Sequence, residues 1–526
     1  MPETTPVLIV GGSLVGLCTA LFLGKHGIPS LIVERHPGTS IHPRVASLTA
    51  RTLEIFRWAG AEAAIREIEP VFSRNSRVSL AESLVGEEFD NLMEDFSAYF
   101  TDASPVTGSI IAQDVLETVL PGLARQAGAD LRYRHELVDF VQDSGGVTAT
   151  VRDRAAGTEQ RVRASYLIAA DGGRSGVRNR LGIGVHGPGE MGSLISVLFE
   201  APGLMDLFHK REAVLCFLAN DVLGTGAIAP YAGSSVRPDR YRLDVTYDPD
   251  EESLADYPVQ RCVPLVRAAI GIDDYPVDIR TVLTWQMVAQ VSDRFQDGRV
   301  FLVGDAARAQ PPSGALGGNT GIAEGHNLAW KLAAVLHGQA GPDLLASYDS
   351  ERRPVADRTL EQVMALMDQR DTEGSEGVTV STLTINMGYR YGDDGKPPSF
   401  RRPDRWTGEP GTRAAHVVLK QYGREISTLD LFGSGFVLLT GCQGQSWSTA
   451  GERVSRALSV PLSGYQIGGS DGLTDVDGRF EERYGLTAVG AAIIRPDGFV
   501  GWRSPTAVRD PQSELTRALK TLLFRS

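Results

Sequence analysis

The chain has 526 residues, more than one hydrophobic core can serve; at roughly 100–200 residues per domain it implies about two to four units. Apolar residues make up 42% and charged residues 22%, the balance of a soluble globular protein. A formal net charge of −13 disfavours nucleic acid or an anionic membrane surface as partner, because phosphates repel an acidic protein.

The N-terminal residues Met-Pro-Glu-Thr-Thr-Pro carry no basic n-region, and no apolar h-region follows, so a secretory leader is not expected. No apolar run approaches the roughly 20 residues of a membrane-spanning helix, which makes the cytoplasm the expected compartment. Residues 6–10 (PVLIV) read as a buried strand, Val15 to His26 as a helix closed by Gly27, and 29–33 as a second strand ending at Glu34. That is one strand–helix–strand unit. Residues 43–66 read as helical, and 114–127 as a helix that Pro121 kinks or divides.

Strong alternation predicts antiparallel strands at 131–138, 147–151 and 161–168, leading into Asp171-Gly172-Gly173. Residues 185–285 read as strands with one helix near 258–270. A buried strand at 299–303 precedes Gly304-Asp305; a long helix follows from Thr320 to His337, then another over 343–370 interrupted by Pro354. The Gly-, Pro- and charge-rich residues 392–412 have linker composition, and the remaining stretch reads as a separate α/β domain. The four cysteines, Cys18, Cys216, Cys262 and Cys442, form no CxxC pair and no cluster at metal spacing; they read as small buried hydrophobes, and no metal site is expected.

Three segments carry chemistry. The first is Gly11-Gly12-Ser13-Leu14-Val15-Gly16, a dinucleotide fingerprint in which Ser13 replaces the middle glycine. The first glycine makes the turn and the last lets helix and strand approach. A small Ser13 still leaves room for a pyrophosphate, and the helix N-terminus offers it free N–H groups. Glu34, 18 residues past Gly16, is placed to accept from ribose hydroxyls and to repel a 2′-phosphate, with Arg35 beside it. A tight strand–helix turn without a ligand is the competing reading. The second segment is Asp171-Gly172-Gly173-Arg174-Ser175-Gly176-Val177-Arg178. The third is Gly304-Asp305-Ala306-Ala307, then Pro311-Pro312-Ser313-Gly314-Ala315-Leu316-Gly317-Gly318-Asn319, then Asn327-Leu328-Ala329-Trp330-Lys331-Leu332. A flavin explains this layout: Asp305 accepts from ribityl hydroxyls, the Gly-rich loop leaves room for a flat ring, and a helix starting near Asn319 stabilises charge on it.

In this order and spacing, over about residues 6–370, the chain resembles the class A flavoprotein monooxygenases, the phenol and para-hydroxybenzoate hydroxylase superfamily. Its C-terminal residues Ser427-Thr428-Leu429-Asp430-Leu431-Phe432-Gly433, Glu482-Arg483-Tyr484-Gly485, Arg495-Pro496-Asp497-Gly498 and Trp502-Arg503 resemble the tail of bacterial aromatic polyketide hydroxylases. The resemblance implies an α/β fold: a Rossmann-like FAD-binding domain (1–184 and 286–395), an inserted β-sheet substrate domain (185–285 with part of 72–108), and a thioredoxin-like C-terminal domain (412–526), redox-inert without CxxC. It implies FAD, with NADPH or NADH as a transient co-substrate and O₂, hydroxylating a polycyclic phenol through a flavin C4a-hydroperoxide.

By position the resemblance carries cofactor roles to Arg44, Gln113 and Asp171, and puts Pro312 against the flavin where oxygen reacts. Arg44 as a surface arginine and Gln113 as an ordinary helix-start residue stay open. Departures stand out as well: Arg308 where relatives carry His or Lys, Ala315 for Gly, and Glu324 for Asp. Arg308 reads equally as a surface filler or as a cofactor-phosphate ligand. Phe217, Trp285 and Met287 are candidate pocket walls or plain core, and Arg390 is a substrate-rim cation or an ordinary surface ion pair. The base that deprotonates the phenol is not identifiable. Alternatives are Baeyer–Villiger insertion or antibiotic inactivation on the same fold, or a flavin dehydrogenase or oxidase without oxygen transfer. Expected partners are a small aromatic substrate only, in a monomer or homodimer.

Overall fold

The structure is a computed structural model that describes residues 2–39, 47–69, 77–93, 99–230, 239–371, 380–392, 397–469 and 472–525. Val7-Leu8-Ile9-Val10 is wholly buried, and such a run forms a strand covered on both faces. It pairs in parallel with Ser30–Glu34 on one side and Glu159–Ala169 on the other; Val300–Leu302 joins beyond Glu159–Ala169, and Ala129–Tyr133 beyond Ser30–Glu34. The helix Leu14–Lys25 covers this sheet and packs on the helix Leu316–Leu336. Their contact is close because both are small there: a Cβ on Gly325 would lie 2.3 Å from Thr19 Oγ1.

The expected strand 131–138 is two strands. Arg134 adopts φ 59, which turns the chain out of the parallel layer after Tyr133. His135–Asp143 then pairs antiparallel with Gly146–Asp153. The segment 114–127 is likewise two helices, Gln113–Leu116 and Leu120–Gln126, with Pro121 in the first turn of the second, where a missing N–H costs nothing. The helix Ala346–Asp371 runs through Pro354 instead of stopping: Tyr348, Val355, Ala356, Leu360 and Val363 are all buried along it, and that packing outweighs the lost hydrogen bond. Of the expected helix 43–66, the described part forms Ala50–Ala59 and Glu62–Arg66.

A second, eight-stranded sheet runs in the order Arg308–Ala309, Asp278–Ser292, Val185–Glu200, Arg240–Tyr247, Gly224–Pro230, Ala213–Asn220, Arg77–Ala81, Glu88–Met93. One face is buried against the helices Leu204–Arg211 and Val259–Ile270 by Ile195, Val197, Phe199, Tyr241 and Leu243. The first of these helices has only eight residues after Pro202-Gly203 and escapes a periodicity reading.

The C-terminal four-stranded sheet runs Leu462–Gln466, Phe436–Thr440, Ala491–Ile494, Val500–Ser504, its first pair parallel and the rest antiparallel, with helices Gln445–Leu458 and Pro511–Leu522. That is a thioredoxin-like arrangement. Three cysteines are buried as expected, but Cys442, beyond the strand Phe436–Thr440, is exposed. The described part of the linker-like stretch is docked: Trp406 Nε1 donates to Gly388 O at 2.7 Å, and Arg483 Nη1 to Asp404 O at 2.6 Å.

Candidate active site

The three sequence segments leave the first sheet at one edge. Val10 and Leu302 both pair with Ala169, so Gly11, Asp171 and Gly304 begin side by side at the C-terminal ends of parallel strands, where open α/β sheets bind ligands. Ala170 N donates to Val10 O at 2.8 Å, and Val303 N to Ala169 O at 2.9 Å. Glycine is required at the turn: a Cβ on Gly11, at φ +108, would lie 2.2 Å from Ala170 O, and one on Gly16 2.0 Å from Gly11 O. Val15 packs under the third segment, its Cγ2 being 3.0 Å from a Cβ placed on Gly304. Arg178 ties the second segment to the third, donating to Gly173 O at 2.8 Å and to Ala306 O at 3.1 Å.

Beside the first turn, Glu34 is buried and accepts from Gly12 N at 2.8 Å and His36 N at 2.7 Å, which fixes a carboxylate at the second strand's end. Arg35 lies on the exposed tip after it. Ser13 Oγ does not wait for a ligand: it donates to Glu117 Oε1 at 2.6 Å. The same oxygen accepts from Leu14 N at 2.8 Å and Gln113 Nε2 at 2.7 Å. Glu117 was not foreseen. It sits 103 residues from Leu14, and nothing local marks it as the carboxylate that caps this helix. Gln113 lies beside the turn, its Nε2 donating to Ser13 Oγ at 2.8 Å, while Arg44 lies outside the described residues.

Asp171 offers the clearest fit to a hydroxyl-bearing ligand. Its Oδ2 accepts from Val177 N at 3.2 Å, whereas its Oδ1 is buried without a partner, and burial pushes the carboxyl up. Asp305 is half-buried in the single turn Gly304–Ala306.

At the Gly-rich loop Pro311 is buried and Pro312 exposed. Gly314 at φ 72 and Ala315 at φ 55 turn the chain into the helix that begins at Leu316, three residues before the expected Asn319. A left-handed residue at 315 is a position that favours glycine, as the family resemblance suggested. First-turn N–H groups at Leu316, Gly317 and Gly318 have no partner within the helix, whose N-terminus lies at the loop. The Asn319 side chain is a clasp: Oδ1 accepts from Thr49 N at 3.0 Å and Thr52 Oγ1 at 2.6 Å, while Nδ2 donates to Ser47 O and Ala315 O.

Arg308 corrects both sequence readings, since it is neither a surface filler nor a phosphate ligand. It is 1% exposed and paired with Glu324, another of the departures, at 2.8 Å. The segment Asn327–Leu332 also lies elsewhere than its motif suggests. Asn327 Nδ2 donates to Asp497 Oδ2 and Glu351 Oε2, Lys331 pairs with Glu351, and Trp330 packs edge-on against Phe436. These residues dock the C-terminal domain.

Phe217, Trp285 and Met287 share one face of the second sheet. The pairs Phe217↔Ala227, Ala227↔Asp244, Asp244↔Ser196 and Ser196↔Leu283 cross it, and Trp285 and Met287 follow Leu283 at two-residue steps. All three are half-buried, on the face opposite the helices, and Leu198 of that face joins the core of the first sheet. Arg390 is engaged with the linker-like strap instead, its Nε donating to Pro410 O at 2.9 Å. Among the described residues no cluster could hold a metal, and no helix is long and apolar enough to cross a membrane.

Known proteins match this geometry along the whole chain. The FAD binding domain family matches residues 4–363, and the aromatic-ring hydroxylase C-terminal family matches 407–525. The chain is 40% identical to a 4-methyl-5-nitrocatechol 5-monooxygenase from a Burkholderia species, across 99% of this chain and 98% of that one. It is 37% identical to the aklavinone 12-hydroxylase RdmE of Streptomyces purpurascens, across 99% of each. The crystal structure of aklavinone-11 hydroxylase with FAD and aklavinone superposes with a TM-score of 0.90 at 36% identity, covering both chains fully. The chain belongs to the FAD-dependent aromatic-ring hydroxylases and is an FAD-dependent aromatic monooxygenase.

Proposed function

We propose that this enzyme hydroxylates a polycyclic, polyketide-type phenol, with NAD(P)H as electron donor and O₂ as oxygen source. The observation that carries the reading is the meeting of Gly11, Asp171 and Gly304 at one sheet edge; a second sheet supplies a half-buried face with Phe217, Trp285 and Met287 on it. Residues 1–184 and 286–395 would hold the cofactor, 185–285 with part of 72–108 would cover the substrate, and 412–526 would brace both. The cytoplasm is the compartment this reading favours, for a monomer or homodimer.

When bound, FAD supplies the two-electron relay from NAD(P)H and the activation of O₂. The chain's own groups do the rest. The first turn of Leu14–Lys25 would face the diphosphate, and Glu34, held by Gly12 N, would accept from the ribose. Asp171 Oδ1 and Asp305 would accept from hydroxyls of the ribityl chain. The N-terminus of Leu316–Leu336 would stabilise negative charge on the ring. Pro312 would present an N–H-free surface to the ring, and Phe217, Trp285 and Met287 would exclude water from the substrate side.

The nitrocatechol relative at 40% identity favours a second reading, a single-ring phenol on the same site. The experiment is NADPH and NADH oxidation by the purified enzyme against matched panels of polycyclic phenols and nitrocatechols under ¹⁸O₂, with product NMR. One labelled oxygen on a polycyclic ring carbon supports the proposal. Turnover of catechols alone selects the second reading, a lactone product selects Baeyer–Villiger insertion, and uncoupled oxidation of every compound rejects oxygen transfer.

A further inference from the structure

The half-buried face of the second sheet holds a carboxylate that the roles above do not use. Asp244 lies in the central strand Arg240–Tyr247 and is 5% exposed. Ser196, directly across from it, donates to its Oδ1, and Arg242 Nε stands 2.9 Å from its Oδ2. Trp285 Nε1 donates to Ser196 Oγ at 2.9 Å, which leaves the serine's one donor aimed at Asp244. Phe217 lies in the same row, two strands away. Aspartate is disfavoured inside strands, and a carboxylate out of water is costly unless it is paired. An apolar residue there would fill the sheet at lower cost. A fixed carboxylate beside a guanidinium, among aromatic side chains, instead suits a ligand that is a flat ring carrying an acidic hydroxyl.

We propose that Asp244 is the base for the substrate phenol and that Arg242 holds the resulting phenolate; this rests on the hydroxylase reading above. The phenolic O–H bond breaks, the proton passes to an Asp244 carboxylate oxygen, and the electron pair stays on the phenolate oxygen beside the Arg242 guanidinium. That pair, delocalised into the ring, forms the new C–O bond with one oxygen of the activated O₂ as the O–O bond breaks, and the O–O electron pair stays on the other oxygen. The ring C–H proton passes to that second oxygen, which departs as water, aromaticity is restored, and Asp244 returns its proton to the phenolate oxygen. Ser196, held by Trp285, is a positioning residue that fixes the orientation of the carboxylate.

The test uses the FAD-loaded enzyme and alizarin, a hydroxyanthraquinone whose absorbance moves to longer wavelength on ionisation. Wild type should bind it with that red shift below the dye's solution pKa. Asp244→Asn, similar in shape and able to keep the Ser196 bond, should bind FAD normally, lose the red shift, and lose about 100-fold or more in kcat on a phenol that wild type turns over. Asp244→Glu should recover part of both, and Ser196→Ala should weaken the shift without abolishing it. The proposal is overturned if wild type gives no red shift, or if Asp244→Asn keeps the shift or keeps kcat within about threefold. Should Asp244→Asn fail to fold, the same two readouts on Asp244→Glu and Ser196→Ala decide: values equal to wild type in both reject the role. A wild type that forms no oxygenated product fails the hydroxylase reading instead, a different result from an active enzyme indifferent to Asp244.

Discussion

Arg308 and Glu324 form a fully buried ion pair that joins three parts of the cofactor loop. Arg308 Nε donates to Glu324 Oε1 at 2.8 Å and its Nη2 to Gly317 O at 2.8 Å, while Glu324 Oε2 accepts from Gly304 N at 2.8 Å. One pair therefore sets the position of the Gly304 turn relative to the start of the long helix. Glu324→Gln leaves a buried guanidinium without its anion and should cost about 3–5 kcal/mol in urea unfolding, with weaker FAD retention. Replacing both partners by a pair that keeps the charges, Arg308→Lys with Glu324→Asp, should cost less than Glu324→Gln. An undiminished midpoint in Glu324→Gln would contradict the bracing role.

Ala315 holds a left-handed conformation at φ 55. That costs an alanine about 1–2 kcal/mol, against about 0.4–1 kcal/mol of extra unfolded-state entropy for glycine. Ala315→Gly should therefore stabilise the protein by about 0.5–1 kcal/mol, read as a higher denaturation midpoint. A lower midpoint would show that the loop relieves the strain in another way.

His186 bridges Asp293 and Asp357, each at 2.9 Å, and joins the second sheet to the helix Ala346–Asp371. Hydrogen bonds to Asp293 and then Asp357 raise its pKa above the ordinary 6.5. A raised folded-state pKa means the clasp stabilises fully below the unfolded value and fades as pH rises through the folded one. The gap in urea midpoint between wild type and His186→Gln should be widest near pH ~5.5, close by pH ~9, and shrink with salt, since the site is half-exposed. A gap that does not change with pH would remove the ionic explanation.

The charges that dock the C-terminal domain should not contribute equally. Arg495 donates to both oxygens of Glu351, at 2.6 and 2.9 Å, and also pairs with Asp497. Lys331 meets the same Glu351 at 2.8 Å, but burial pulls its ammonium down to about 8. Arg495→Met should cost about 3–5 kcal/mol, because it strips two buried carboxylates, whereas Lys331→Met should stay within about 1 kcal/mol of wild type. Calorimetric unfolding of both variants checks the order; the reverse order would contradict it.

The glycine turns and strand ends were legible because they are local: an apolar run, a tight turn and a helix start all fall within a few residues. Their convergence could be inferred only through the resemblance, and the structure brings the three segments to one sheet edge. What pattern reading missed spans long separations. Glu117 reaches Leu14 across 103 residues, and Asn327 meets Asp497 across 170. The tertiary environment also overrode local signals, as at Pro354 inside a helix and at Arg134, where a left-handed residue ends a strand that alternation alone would continue.

The central claim is that three segments build one flavin site in this chain. The most direct measurement is titration of the cofactor-stripped protein with FAD, followed by flavin fluorescence and absorbance, for wild type and Asp171→Ala. The account predicts saturation at one FAD per chain and weaker binding in the variant at unchanged far-UV circular dichroism. A wild-type protein that takes up no FAD, or a variant that binds it equally well, would contradict the account.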